Sequence, residues 1–381
     1  MNCIRGEMIY TGTSVLKKGY LLFDGQKLAG ISTTRKGALL GDFPVITPAF
    51  IDAHCHIGME RSGEPGGEGE ANERLDTIVP LADALDSILM DDAAFRDSIE
   101  AGVLYSCAVP GSGNIIGGRS AVIRNYAPDS SRALIARAGV KAAMGFNTSV
   151  STRDWKGSRP YTRMGAISLL RKRLDDVRQK MDKLRRARGK ARHEIVFSAE
   201  DAILRDVLAG RERLRVHVHK SDDIACLIRL VDEFRLKVTA EHTMDVHDTQ
   251  TYRDLRERGI AVVYGPLDSF AYKFELRHES WRNVRFLLES GVAFGLMTDH
   301  PVILQRHLHL QLRWFLRLGL SMQEAIEIIT RRNAEILGID AFLGTLARGK
   351  WASFIGWNGD PMSMACHPVA VYGEGEQLYG E

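Results

Sequence analysis

The chain has little net charge, few prolines and no long apolar run, and each shortage excludes a class of protein. A formal charge of +3 is too near neutral to imply nucleic acid or an anionic membrane as partner. No stretch reaches the roughly 18 consecutive apolar residues of a membrane span. The five cysteines, Cys3, Cys55, Cys107, Cys226 and Cys366, are odd in number and widely spaced. They contain no CxxC pair, which argues against a disulfide framework and for a reducing compartment. The opening residues MNCIRGEMIY have neither an apolar h-region nor a small-residue cleavage site, so no secretory signal is read there. The expectation is a soluble, cytoplasmic protein. Only 11 prolines stand against 36 glycines, while 45% of the residues are hydrophobic and 26% charged, the balance of a globular enzyme with many tight turns.

Residues 1–47 read as short strands separated by turns, with Asp24-Gly25 the strongest turn signal. The stretch from 345 to 381 has the same character. The expected organisation is a small β-sandwich built from 1–47 and 345–381 around a barrel of 48–344. Within 48–344 short apolar runs alternate with amphipathic helical patterns at 222–234, 248–258 and 281–288. Eight runs read as strands: 50–53, 103–109, 121–123, 140–145, 214–218, 237–240, 260–264 and 292–297. Strand–helix alternation of this kind is the signature of parallel βα units, and eight of them predict an α/β fold, a (β/α)8 TIM-type barrel. Two segments depart from the rhythm. Residues 58–73, GMERSGEPGGEGEANE, carry almost no large apolar side chain and read as a mobile acidic loop over the barrel mouth. Residues 171–192 hold 11 Lys or Arg against three Asp, read as a solvated helical hairpin.

Chemistry gathers at four strand ends. Pro48-Ala49-Phe50-Ile51-Asp52-Ala53-His54-Cys55-His56 ends the first. Strand residues two apart share a face, so His54 and His56 can aim two imidazoles at one point, half of a zinc site. Arg215-Val216-His217-Val218-His219 supplies a second HxH, Ala240-Glu241-His242 ends the next strand, and Met297-Thr298-Asp299-His300-Pro301 ends the last. Six of the 12 histidines fall in these four places, at the end of the barrel where active sites are assembled. After the second strand, Gly111-Ser112-Gly113-Asn114-Ile115-Ile116-Gly117-Gly118-Arg119 lacks the Lys-Ser/Thr pair of a phosphate loop. It reads as a tight loop that brings Arg119 to the mouth, either to hold a substrate carboxylate or as an ordinary surface arginine.

An HxH after a Phe-Ile-Asp strand, single histidines after the fifth and sixth strands and an aspartate after the eighth resemble the amidohydrolase superfamily over nearly the whole chain. Within it the sequence looks most like the imidazolonepropionase-like and Xaa-Pro dipeptidase-like group. The resemblance implies His54, His56, His217 and Asp299 as metal ligands, with zinc the expected ion. His242 would bind a second ion, the substrate or the attacking water. His219 is read as a substrate contact with a ligand role as the alternative, and His300 either orients a polar substrate group or sits under the loop. Zinc lowers the pKa of a bound water to about 7, and Asp299 can accept the water's proton and deliver it to a leaving nitrogen. The implied reaction is hydrolysis of a C–N bond in an amide, cyclic amide or dipeptide of a small-molecule substrate. The alternatives are deamination of an amino-substituted ring at the same ligands, or an inactive scaffold of the same fold. A homo-oligomer is compatible with all three. One departure bears on nuclearity. Members with two ions carry a bridging carboxylated lysine or a glutamate at the end of the third or fourth strand. Here Lys141 counts as the beginning of the 140–145 strand, roughly 13–16 Å from its end, and Phe146 sits at the end. One ion is therefore expected.

Overall fold

The computed structural model describes residues 1–150, 155, 157–189 and 193–380. Both ends of the chain enter one sheet. Strands β1 (Asn2–Tyr10), β2 (Val15–Asp24), β3 (Lys27–Ser32) and β4 (Ala38–Pro48) come from the N-terminal part. Strands β13 (Phe354–Trp357), β14 (Pro368–Gly373) and β15 (Glu376–Gly380) come from the C-terminal part. The spatial order is β15-β14-β13-β4-β1-β2-β3, with β13 antiparallel to β4 through the Phe354–Pro48 pair. Three strands separate β2 from β14, about 19 Å in a flat sheet at the usual strand spacing. Yet the Phe23 and Tyr372 rings lie 6.0 Å apart. The sheet therefore rolls around its own core of Ile4, Leu21, Phe23, Ile46, Phe354 and Tyr372. Both ends of the chain thus form one module, a rolled sheet packed on itself, in keeping with the small β-sandwich expected of 1–47 and 345–381.

The second sheet has eight strands in chain order: β5 (Phe50–Cys55), β6 (Val103–Ala108), β7 (Ile116–Arg124), β8 (Leu134–Ala143), β9 (Leu214–Val218), β10 (Val238–His242), β11 (Ala261–Tyr264) and β12 (Phe294–Leu296). All neighbours pair in parallel except around β7, which runs antiparallel to both β6 and β8. This corrects the expectation of a regular (β/α)8 barrel, and the cause is arithmetic. Residues 109–115 and 125–133 are all that link β7 to its neighbours. A parallel crossover needs a dozen residues or more. These links are too short for one, so the chain must double back.

The ladder stops between β12 and β5, and local bonds close the ring. His56 N–H donates to His300 O at 2.9 Å and Asp299 N–H to His54 O at 3.1 Å. The buried Asp52 carboxylate accepts from the Thr298 N–H and hydroxyl and from Gln305. The result is a nearly closed barrel whose seam lies directly under the candidate ligands.

The segment rich in Lys and Arg forms one helix, Arg163–Arg186, with Ala166, Leu170, Leu174 and Val177 buried along one stripe. Its cations are largely spoken for: Arg173 and Lys180 both pair with Asp201, and Arg171 pairs with Glu233. The expected hairpin is thus a single helix up to Arg186, and 190–192 lie outside the described residues. Among the described residues no helix is long and apolar enough to cross a membrane, and all five cysteines are free thiols.

Segment 58–73 is better anchored than its composition implies. Met59 and Ala71 are buried. Ala71 O accepts from Gly111 N–H and Asn72 Oδ1 from Gly113 N–H. Only its middle, around Gly63, Gly66 and Gly67, stands in open space.

Candidate metal centre

Three strand ends, those of β5, β9 and β10, bring their histidines to one place. The imidazole centroids of His54 and His242 are 5.0 Å apart, those of His217 and His242 4.3 Å, and those of His219 and His242 4.9 Å. All four rings are essentially buried.

Three rings are locked by what their Nδ1–H meets. His54 Nδ1 donates to Glu241 Oε2 at 2.6 Å, His56 Nδ1 to Val109 O at 2.7 Å, and His242 Nδ1 to Gly265 O at 3.1 Å. Each bond fixes the tautomer and leaves an Nε2 lone pair, the arrangement metal-binding histidines use. The Nε2 atoms of His54 and His56 lie 3.4 and 3.2 Å from Asp299 Oδ1. Burial lowers the pKa of His54, and Lys141 lowers it further. Burial also holds His217, His219 and His242 well below the usual imidazole value. These shifts favour the neutral form that ligation requires. Burial pushes the Asp299 carboxyl up, but His242, His54 and His56 outweigh it and hold the group well below the carboxylate range.

Two groups of possible ligands share His242: His54 with His242 and Asp299, and His217 with His219 and His242, their donor atoms within 4.8 Å of one another in each. His242 Nε2, His219 Nδ1 and Asp299 Oδ1 are buried without a hydrogen-bond partner. Orphaned atoms of this kind cost about 1–3 kcal/mol each unless something binds them. Imidazole and carboxylate donors fit zinc or a similar divalent ion.

The other expected residues fall elsewhere. Arg119 is on β7 and not in a loop; its N–H bonds to Ala82 O and its guanidinium faces Asp83 at 4.0 Å. His300 is buried at the seam, where Nδ1 accepts the Gln305 N–H at 3.2 Å.

Residues without an expected role complete the site. Lys141 is the clearest correction. β8 ends at Ala143, so Lys141 is near the strand's end, fully buried, with Nζ 3.4 Å from His54 Nε2. Burial lowers its pKa to about 8. Glu241 neighbours His242, and strand alternation would send one of them outward. Instead His242 has φ +76°, which breaks the alternation and lets both face His54. Burial pushes the Glu241 carboxyl up, yet Arg215 and His54 hold it at about 2. Ser112 Oγ sits 2.9 Å from His217 Nδ1. Glu275, from the loop after β11, reaches within 3.0 Å of His217 Nε2. A cavity of about 270 Å³ beside it is lined by Phe146, Val150, Tyr161 and Phe274 among others.

Comparison with known proteins agrees with this architecture. Residues 132–377 match the amidohydrolase family model. The chain is 24% identical over 363 residues to the amidohydrolase tasK of Hapsidospora irregularis, covering 88% of this chain but 36% of that protein, so it spans about a third of that relative's length. A crystal structure of an amidohydrolase from Thermotoga maritima MSB8 superposes over the whole of both chains with a TM-score of 0.92 at 28% identity. A Xaa-Pro dipeptidase with bound methionine in its active site does so with a TM-score of 0.62 at 14% identity, again over both chains in full. The chain belongs to the amidohydrolase family.

Proposed function

We propose that this chain is a metal-dependent hydrolase that opens a C–N bond of a small molecule, an amide, a cyclic amide or a dipeptide. The barrel 48–344 is the catalytic unit in this reading, and 1–47 with 345–381 form the module beside it. One observation carries it: orphaned imidazole nitrogens and an orphaned carboxylate oxygen, all buried, lie in two adjoining donor clusters that share His242. His54, His56, His217 and Asp299 would hold the ion, with His242 available to a second. When bound, the ion supplies Lewis acidity and makes water a nucleophile near neutral pH.

The chain's own residues do the rest. Asp299 Oδ1, without a hydrogen bond of its own, takes the proton of the attacking water and passes it to the leaving nitrogen. His242 Nε2, left with a free lone pair by the Nδ1–H bond to Gly265 O, can take an ion or the proton of the attacking water, and His219 is assigned to the substrate beside it. The cavity of about 270 Å³ next to Glu275 suits an apolar group of the substrate. Arg119 is the candidate for a substrate carboxylate only if it leaves Asp83. The position of Lys141, with Nζ 3.4 Å from His54 Nε2, removes the argument for a single ion.

Elemental analysis of the purified protein is expected to find zinc or a similar ion at one or two equivalents per chain. A chelator should abolish hydrolysis, and added zinc should restore it. Full activity after exhaustive chelation would end this reading, and an absence of stoichiometric metal would favour the scaffold alternative. A screen over dipeptides, cyclic imides and hydantoin-like rings identifies the substrate, while ammonia released without ring opening would indicate deamination.

Glu241 gives a second test. It aims His54 from behind, and outer carboxylates of this kind are worth about 10–100-fold in metal affinity. Glu241→Gln should lower zinc affinity by about that factor in chelator competition. Unchanged affinity would show that the Glu241–His54 bond does not orient a ligand.

A further inference from the structure

We propose that Ser112 is a positioning residue for His217, and that residues 71–77, at the end of the acidic segment over the mouth, hold it in place. The proposal rests on the metal-dependent reading, in which His217 is a ligand, and extends it to a side chain outside the strands.

His217 differs from the neighbouring rings in what meets its Nδ1. His54, His56 and His242 turn Nδ1 to a carboxylate or a carbonyl, groups that only accept. His217 Nδ1 meets the Ser112 hydroxyl at 2.9 Å. A hydroxyl donates or accepts, so it can take the Nδ1–H whenever Nε2 is turned to an ion. Glu275 Oε1 and Asn147 Nδ2 lie 3.0 and 3.4 Å from Nε2. One is an acceptor and the other a donor, so they do not agree on a tautomer. Ser112 is what stands behind the ring.

No strand fixes Ser112. It lies in the link between β6 and β7, and that link is bonded along its length to 71–77. Ala71 O accepts the Gly111 N–H at 2.6 Å, Asn72 Oδ1 the Gly113 N–H at 2.8 Å and Thr77 O the Ile115 N–H at 2.8 Å. Asn114 Nδ2 donates to Glu73 O and Asp76 O, both at 2.7 Å. The glycines on either side of Ser112 let the segments approach this closely. A Cβ on Gly111 would lie 2.3 Å from Asn72 Nδ2, and one on Gly113 2.1 Å from the Trp155 ring. Neither position has room for a side chain. Arg159 in turn lies over that ring at 4.9 Å and donates to Glu73 O at 3.2 Å, so Trp155 is tied to the same segment.

The mouth thereby gains a route to a ligand. Moving 71–77 releases Gly111 and Gly113, shifts Ser112, and strands the Nδ1–H of a buried imidazole at a cost in ligand order. A Ser112 that served folding alone would change stability and leave the ion's affinity and spectrum as they are.

The test titrates full-length protein with cobalt(II) against a competing chelator and records the visible absorption of the ion. Ser112→Ala should weaken cobalt about 10–100-fold, the worth of a group that orients a ligand, and alter the absorption. Ser112→Thr keeps the hydroxyl and should restore most of the affinity. Asn72→Ala removes one of the bonds behind Ser112 and should weaken cobalt in the same direction by less. In the double variant the two losses should not add, because Asn72 acts through Ser112. Wild-type affinity and absorption in Ser112→Ala, or a loss that threonine does not restore, would overturn the proposal and leave the hydrolase reading standing. Additive losses would overturn the coupling to 71–77. Should Ser112→Ala fail to fold, unchanged affinity in Asn72→Ala overturns that coupling, and a wild type that binds no cobalt removes the hydrolase reading as well.

Discussion

Asp299→Asn is expected to lower kcat/KM by about 10²–10⁴-fold, the usual worth of a positioned general base, with the fold intact. Three features make the substitution clean. Asp299 has φ +51°, a conformation asparagine tolerates better than almost any other side chain. Its N–H bond to His54 O belongs to the backbone and survives. The side chain changes by one atom type, so packing under the loop stays as it is. What is lost is the ability to accept a proton, together with the negative charge beside His54 and His56. Activity measured at saturating zinc separates these losses, since restored metal occupancy without restored turnover isolates proton transfer. Near-normal turnover at full occupancy would move the base to another residue, and His242 is the next to test.

The chemistry of the site is far more legible in the sequence than its geometry. Metal-binding side chains announce themselves by type and by two-residue spacing, and the strands carrying His54, His56, His217 and His219 keep the alternation that such spacing assumes. The reading fails where the backbone departs from a regular strand. Lys141 is misplaced by a count that runs β8 to residue 145, when it ends at Ala143; two residues at strand rise decide between mouth and base. Glu241 is hidden by an alternation rule that the positive φ of His242 suspends. Glu275 has no local pattern at all, being one acidic residue in a loop, and only the tertiary approach to His217 reveals it. The antiparallel β7 is missed for the same reason: read as 121–123 it leaves a longer link, and only its start at Ile116 makes that link too short for a crossover. The terminal sheet is legible as strands and as one module of both ends, 1–47 with 345–381, but which strand pairs with which leaves no local trace.

Asn333 holds the one place where the barrel ladder is missing, and Asn333→Ala should be among the most destabilising single changes in the protein. The side chain is fully buried. Its Nδ2 donates to Ile51 O on β5 at 2.6 Å and to Leu296 O on β12 at 2.8 Å, while its Oδ1 accepts the Leu296 N–H at 3.0 Å. One amide thus joins the first and last strands of the sheet. The fit leaves no slack, since a Cβ on Gly295 would lie 2.0 Å from Asn333 Oδ1. The Ile328–Arg332 stretch before it is a π-helix, whose wider turn helps a helical side chain reach the strands. Alanine would strand three buried backbone groups at about 1–3 kcal/mol each. Partial entry of water offsets some of this, leaving a loss of about 3–5 kcal/mol, the range of exceptional single substitutions. The thermal midpoint should fall by about 5–10 °C, and Asn333→Asp, which sets a buried carboxylate oxygen against the Ile51 and Leu296 carbonyls, should destabilise at least as much as alanine. A drop under about 2 °C for alanine would show that the backbone bonds of His56 and Asp299 and the Asp52–Thr298 bonds close the seam without it. The same seam carries His54 on one side and Asp299 on the other, so loosening it should also weaken metal binding well below the melting temperature, which chelator competition on the alanine variant can read directly.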